Sequence, residues 1–317
     1  MLTYETLKNR PATFLAATGL TVAEFDQLLP AFQSAYTELY PTHLTADGKE
    51  RMRKVGAGPK STLETDADRL LFALVYMKTN PLQEMHGLQF GLSQAQANYW
   101  IHRYLPVVKA ALAKLGLLPE RDGKQLATNN LALEGQPDLA LDGTERRRER
   151  QKDKEEQKST YSGKKKTHTV KNILVVNETT HKVVYLGPTE PGSKHDKKAA
   201  DEAQISYPAS AILDKDTGFQ GYEPAQVITR QVKKKPKGQE LSVGDKLCNQ
   251  VLSGVRIVVE HAIAGVKRCR IVKDVLRLTT DGIADLVMEI ACGLHNLRVD
   301  CRQPLSDLNL LKSFDTT

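Results

Sequence analysis

The stretch SAILDKDTGFQGY, residues 210–222, decides how the rest of the chain is read. Its short apolar run, Ala211 to Leu213, has the composition of a buried strand. The run stops on two aspartates, Asp214 and Asp216, and Thr217, Gly218 and Phe219 follow. An acid at such a place can cap a turn. It can also point into a site, because ligands of α/β sheets bind beyond the carboxyl ends of strands or where strand order switches. The second reading needs partner acids elsewhere in the chain.

Asp142 is the first partner. It follows Leu139-Ala140-Leu141 and precedes Gly143 and Thr144, so a second short strand is expected to end on a carboxylate before a turn. Asp-Gly alone is a common turn pair. Two strands of one domain ending alike shift the weight toward a shared site. The second partner lies on a long helix expected over residues 242–272, with Ser242 as its cap. There Ser253, Arg256, Glu260, Ala264 and Lys267 fall three or four apart and share one face. Leu247, Val251, Val255, Val258, Val259 and Ile263 supply the apolar sides. Glu260 is thus an acid inside an apolar stretch. An intrahelical pair with Arg256 is worth only about 0.3–0.5 kcal/mol. Binding a cation offsets the desolvation of a carboxylate far better.

The chain has 317 residues, enough for two domains of the usual size. Its net charge is +7 and its pI about 9.1, and the basic residues are clustered, which suits a polyanionic partner. No apolar run approaches the roughly 20 residues of a membrane helix, so no membrane role is expected. The start, MLTYETLKNRPATFL, lacks the pattern of a signal peptide. Cys248, Cys269, Cys292 and Cys301 form no C-x-x-C pair, which argues against a zinc site or disulfide framework and for a reducing cytosol.

Four parts are expected: a helical domain over 1–118, a polar linker over 119–138, an α/β domain over 139–303 and a tail over 304–317. In the first, Thr21 caps one helix, Thr65 or Asp66 a second, and Ser93 a third that runs to about Lys114. A short helix ending on Gly91 precedes the third, which is the outline of a helix-turn-helix. Ser93, Gln94, Gln96 and Asn98 open the expected recognition helix and Arg103 follows, residue types suited to base edges and phosphates. Tyr99, Trp100 and Tyr104 read as core. In the α/β part, THTVKNILVVNE and HKVVYLGP read as strands and SKHDKKAADEAQ as a helix capped by Ser193. Lys164, Lys165 and Lys166 precede a strand, and Lys233, Lys234, Lys235 and Lys237 lie in a loop between the second and third acids. Such runs are commonly just solvated; beside an acid cluster they suit phosphate contact. The mixed-charge excursion ERRRERQKDKEEQK reads as a solvated helix or arm, with Arg146 to Arg148 its candidates for DNA.

LDGTERRRER, YSGKKKTHTVKN, PGSKHD, DTGFQGY and SGVRIVVEHAIAGVKR, taken in order, resemble the DDE transposases of bacterial insertion sequences, in particular the insertion-sequence-five family. Arg256, Glu260 and Lys267 match that family's helix at its spacing; Ser253 stands where the family has Tyr. Residues 65–106 similarly resemble the helix-turn-helix of these proteins. The resemblance covers about residues 50–300. It implies a ribonuclease H-like fold, a mixed sheet flanked by helices, preceded by the helical DNA-binding domain. It implies three acids holding two Mg²⁺ or Mn²⁺ ions: Asp142, then Asp216 with Asp214 as its rival, then Glu260. His195 and Asp196 belong to the family pattern without an assigned catalytic role. The implied partners are double-stranded DNA, both element ends and target, and a second copy of the chain, since joining two ends needs at least two subunits. A transposase descendant that binds DNA without cutting it, and a ribonuclease H-like nuclease, are the alternatives.

Overall fold

The computed structural model describes residues 1–43, 49–50, 61–135, 138–209, 211–225, 227–233, 235 and 240–303. The expected tail, 304–317, and Lys234 and Lys237 lie outside the described residues. The chain divides into two compact units. The first holds Met1–Leu118 with Arg268–Ile271 and Leu286–Leu294, and the second holds Pro119–Lys267, Val272–Asp285 and His295–Thr317.

The first unit is helical: α1 (Tyr4–Lys8), α2 (Pro11–Thr18), α3 (Val22–Leu39), α4 (Asp66–Thr79), α5 (Gln83–Phe90) and α6 (Gln94–Lys114). The starts follow from side chains that satisfy the otherwise unpaired first-turn amides. Thr21 with Glu24, and Ser93 with Gln96, form reciprocal capping boxes on α3 and α6, and Thr65 caps α4. Gly91 ends α5 at φ +68°, a left-handed conformation that glycine adopts without strain. Gly87 serves close approach instead, since a Cβ there would come within 2.6 Å of the Leu92 carbonyl oxygen. Together they make the tight turn from α5 into α6. Phe14, Phe25, Phe32, Phe72, Phe90 and Tyr104 are fully buried in this unit. Trp100 stacks on Tyr104 with ring centroids 5.1 Å apart, whereas Tyr99, expected in the core, is exposed.

The second unit is built on a mixed sheet of β1 (Asp138–Arg147), β2 (Tyr161–Ser162), β3 (Thr167–Asn177), β4 (Val183–Leu186), β5 (Glu190–Pro191), β6 (Ile212–Lys215) and β7 (Ile228–Gln231). The order is β2-β3-β1-β6-β7, with β4 and β5 also on β3. β1 runs antiparallel to β3 and parallel to β6, and β6 is parallel to β7. The helices are α7 (Asn130–Leu133), α8 (Lys154–Thr160), α9 (Asp196–Ala203), α10 (Val243–Val266) and α11 (Ile283–Arg302), the last of which also lends residues to the first unit. The sheet and its flanking helices are consistent with the ribonuclease H-like arrangement that the resemblance implies.

Strand alternation sorts the two faces. Leu139, Leu141, Ile173, Val175 and Leu213 point into a core with Ala199 and Ala200 of α9 and with Leu126, Leu131 and Ala132. Burying each of these leucines is worth about 1.5–3 kcal/mol. Residues 119–135, expected as a linker, thus contribute to that core through a 3₁₀ turn, Gly123–Thr128, and α7. The opposite face of β1 and β6 is covered by α10. Three further expectations need correction. β1 does not end at Asp142 but continues to Arg147, each residue pairing with β3. α9 begins at Asp196 with His195, not Ser193, in the cap position. α10 stops at Val266, with Lys267 as its last cap residue and a short 3₁₀ turn, Arg270–Val272, beyond.

Candidate active site

Asp142, Asp216 and Glu260 line one pocket of the second unit, with Asp214, Lys215, Arg230, Gln231 and Val259 among its other walls. The sheet brings the first two level. The parallel ladder between β1 and β6 has its last rung at Leu141↔Lys215, so Asp142 and Asp216 are the next residue on each strand. Strands in a ladder lie about 4.8 Å apart. Alternation sends Asp142 to the same face as Ala140, which is the face under α10. Asp142 accepts a hydrogen bond from the Gly143 amide at 2.7 Å. Asp216 is extended (φ −73°, ψ 162°) and its side chain does not cap the 3₁₀ turn after it. Its carbonyl accepts from the Gln231 side-chain Nε2 at 2.6 Å and from Phe219 N–H at 3.0 Å. α10 seats Val259, Ala262 and Val266 in the interior, which leaves Glu260 exposed at the pocket. The apolar sequence around Glu260 therefore marks the helix's buried side, and the acid itself is solvated.

Asp214 has a different environment. It sits within the ladder, opposite Ala140 on one side and Arg230 on the other, and is buried. Arg230 donates to it through Nε at 2.9 Å and Nη2 at 2.5 Å, a two-pronged charge-assisted contact. Glu178 neighbours the pair. Burial first, then the neighbouring Asp214 carboxylate, pushes its carboxyl up to about 9, so Glu178 holds its proton at neutral pH. Lys215 is likewise committed, to Glu223 and the Tyr222 carbonyl.

The donor set at the pocket is oxygen only, which fits a hard divalent cation rather than zinc or copper. Among the described residues, no group of three or more His, Cys, Asp or Glu side chains is already drawn to metal-binding spacing. Lys267 caps α10 and stands near enough to Asp142 to feel its charge. Burial, reinforced by Lys165 and Arg146, lowers its ammonium below the usual lysine range, while Asp142 and Glu145 oppose the shift.

The candidate DNA-contacting residues divide in three groups. Lys164, Lys165 and Lys166 are exposed at the tip of the hairpin joining β2 to β3, a turn closed by Lys166 N–H to the Ser162 carbonyl at 2.7 Å. Lys233 is exposed and paired with Asp245 at 2.5 Å. The side chains of Ser253 and Arg256 lie outside those described. In the first unit, Ser93 and Gln96 are bonded to each other's backbone. Gln94 and Asn98 are both bonded to Gln83 of α5, at 2.7 and 3.0 Å, which ties the start of α6 to the preceding helix. Arg103 lies over the Tyr40 ring at 3.6 Å and donates to the Tyr99 hydroxyl at 3.3 Å. Arg146 is removed from the DNA candidates: it is buried, with Nη2 bonded to Asn172 at 2.7 Å and Thr189 at 3.0 Å.

Sequence reasoning missed β7 and with it Arg230 and Gln231, two walls of the pocket. The signal was present in the β-branched run QVITRQV, residues 226–232, which its basic surroundings disguised as loop. It also missed Glu178.

Residues 141–296 match the family of DDE superfamily endonucleases, and residues 63–114 match the helix-turn-helix of DDE superfamily endonucleases. A curated relative, a probable transposase for insertion sequence element IS702 of Microchaete diplosiphon, is 26% identical over 246 residues, 77% of this chain and 83% of the relative. No solved structure matches significantly. The first match begins at the strand that carries Asp142 and runs past Glu260, and the second spans α4 to α6. The chain belongs to the DDE superfamily endonucleases and carries their helix-turn-helix domain.

Proposed function

We propose that this protein is the transposase of an insertion sequence, cutting at the element's ends and joining them to target DNA. The observation that carries the reading is that Asp142, Asp216 and Glu260, from a strand, a strand end and a helix, line one pocket. Asp142 and Asp216 would hold the metal from the sheet and Glu260 from α10. Two Mg²⁺ or Mn²⁺ ions held there would activate a water or a 3′-hydroxyl and stabilise the leaving oxygen of an in-line displacement at phosphorus. In this reading the three carboxylates are ligands, not proton donors. Asp214 is not among them, because Arg230 and Glu178 already define its surroundings.

Lys164 to Lys166, Lys233 and Lys267 bind phosphates of the strand presented to the acids, with Lys234 and Arg256 assigned to the same role from their sequence positions. The start of α6, with Ser93, Gln94, Gln96 and Asn98, reads the terminal inverted repeat, and Arg103 contacts its backbone. Two ends must meet, so the active species is at least a dimer on DNA, acting in the cytoplasm on the nucleoid.

The test uses purified full-length protein and duplexes made from the DNA that flanks the gene. Wild type should cleave with Mg²⁺ or Mn²⁺ and yield strand-transfer products. Asp142→Asn, Asp216→Asn and Glu260→Gln should each bind the duplex and fail to cut it. Cleavage at wild-type rate by any of the three refutes that residue's assignment. Binding without cleavage by wild type itself favours the non-cutting descendant.

A further inference from the structure

The glycines that follow the two sheet-borne acids close on one and the same side chain. Gly143 directly follows Asp142, and Gly218 lies two residues after Asp216. A Cβ on Gly143 would stand 3.3 Å from Asp196 Oδ1, and one on Gly218 would stand 3.0 Å from Asp196 Oδ2. Neither glycine has a positive φ, so neither is needed for its conformational freedom. At both positions a Cβ would crowd the same carboxylate, which would have to give by a few tenths of an ångström.

Asp196 is the first residue of α9, on the face of the sheet opposite α10. Its Oδ1 is bonded at 2.9 Å to the ammonium of Lys171, a buried residue of β3 that also lies 3.8 Å from Glu145. This anchor sits just past the last rung between β1 and β6, Leu141↔Lys215; beyond it, among the described residues, β1 pairs only with β3. We infer that Asp196 is a positioning residue: wedged between Gly143 and Gly218 and held by Lys171, its carboxylate sets the separation of the Asp142 and Asp216 segments. The inference rests on the reading that those two acids act together. Asp196 itself faces away from the pocket and touches no reacting atom.

The mechanism predicts reciprocal behaviour that a general stabilising role does not. Asp196→Ala removes the wedge, and a misplacement of about 1 Å at a catalytic group costs about 100-fold in rate. Gly218→Ala in the wild-type background pushes the Asp216 turn away from the carboxylate and should cost a similar factor. In Asp196→Ala/Gly218→Ala the added methyl enters the vacated space, so the double variant should cleave faster than either single one. Asp196→Asn keeps the wedge and should stay within about 10-fold of wild type.

The experiment measures these full-length proteins, with Asp142→Asn as reference, for melting temperature, duplex affinity, cleavage turnover and Mn²⁺ affinity by titration calorimetry. Expected are unchanged duplex affinity, Mn²⁺ binding weakened about 10-fold in each Ala single variant, and partial recovery of both Mn²⁺ binding and turnover in the double. Wild-type Mn²⁺ binding and turnover in Asp196→Ala, with Asp142→Asn inactive, overturns the inference alone. So do losses that simply multiply in the double variant. Wild-type cleavage by Asp142→Asn overturns the acid assignment, and the wedge with it. If Asp196→Ala does not fold, Gly218→Ala and Asp196→Asn decide: equal loss in both, or none in Gly218→Ala, removes the wedge.

Discussion

Arg230→Met separates the two neighbouring aspartates by what each one loses. Asp214 is buried and is bonded twice by one guanidinium, that of Arg230, at 2.9 and 2.5 Å. Stripping the cation from a buried pair costs about 3–5 kcal/mol, because a desolvated charge is left behind. The Arg230 side chain is 36% exposed, so water screens part of the interaction, and about 2–3 kcal/mol is the reasonable figure. For a unit of this size each kcal/mol moves the melting temperature by about 2–4 °C, which gives a fall of about 5–10 °C. Asp216→Asn should do the opposite. Asp216 is half-buried past the end of the ladder and its side chain does not cap the turn that follows, so its melting temperature should stay within about 2 °C while cleavage is lost. The assay pairs calorimetric melting with metal-dependent cleavage of flanking DNA, run below the melting point of every variant. Arg230→Met should still cut. An unchanged melting temperature in Arg230→Met, together with lost Mn²⁺ binding in Asp214→Asn but not in Asp216→Asn, would refute this and make Asp214 the ligand.

Three other outcomes are expected. Glu178 keeps its proton in the folded chain up to about pH 9 but releases it near pH 4.5 when unfolded, so stability falls as pH rises across that window; Glu178→Gln should flatten the melting temperature between pH 5 and 9. His86 is buried against Phe72, with ring centroids 4.2 Å apart, and burial lowers its pKa to about 4. Its contribution is complete above pH 6.5 and is lost as pH falls toward 4, about 2 kcal/mol by pH 5; His86→Leu should remove that acid sensitivity in melting curves. Replacing Lys164, Lys165 and Lys166 by Ala should lower the slope of log affinity against log salt by about 0.9 for each phosphate that is no longer neutralised, measured by titrating duplex DNA.

Helix starts were legible because caps are local chemistry: Thr21 with Glu24 and Ser93 with Gln96 each declare a boundary within four residues. That Asp142, Asp216 and Glu260 line one pocket is in keeping with the distinctive short pattern beside each. Illegible is whatever depends on tertiary neighbours. Gly143 reads as a turn but sits mid-strand opposite Ile173, and the nearest atom to its missing Cβ belongs to Asp196, far along the chain. Arg146 reads as a DNA candidate on a solvated arm, yet Asn172, Thr189 and the Ala284 carbonyl surround its guanidinium. Leu126 and Ala132 lie in a polar stretch and are nonetheless fully buried under the sheet. Glu260 was placed correctly on its helix, but its exposure is the reverse of what its apolar surroundings suggest, since sequence periodicity does not say how wide the covered face is.

On the proposed assignment the three ligands are held with unequal stiffness. Asp142 and Asp216 belong to adjoining strands whose level is set by a backbone ladder. Glu260 is exposed and depends on how α10 seats on the sheet. That accounts for three acids lining one pocket without a metal-spaced cluster among the described residues. The seating is where the third ligand is vulnerable. Val259→Ala removes two buried methyl groups beside Glu260, worth about 1–2 kcal/mol of stability at about 0.8 kcal/mol each. It also lets the helix settle toward the sheet. Turnover should then fall by more than the unfolded fraction explains, with Mn²⁺ raising it more than Mg²⁺ does, because the less strictly octahedral ion tolerates a displaced carboxylate better. If turnover tracks the folded fraction alone, α10 does not set the position of Glu260, and the third ligand must be placed by the DNA itself.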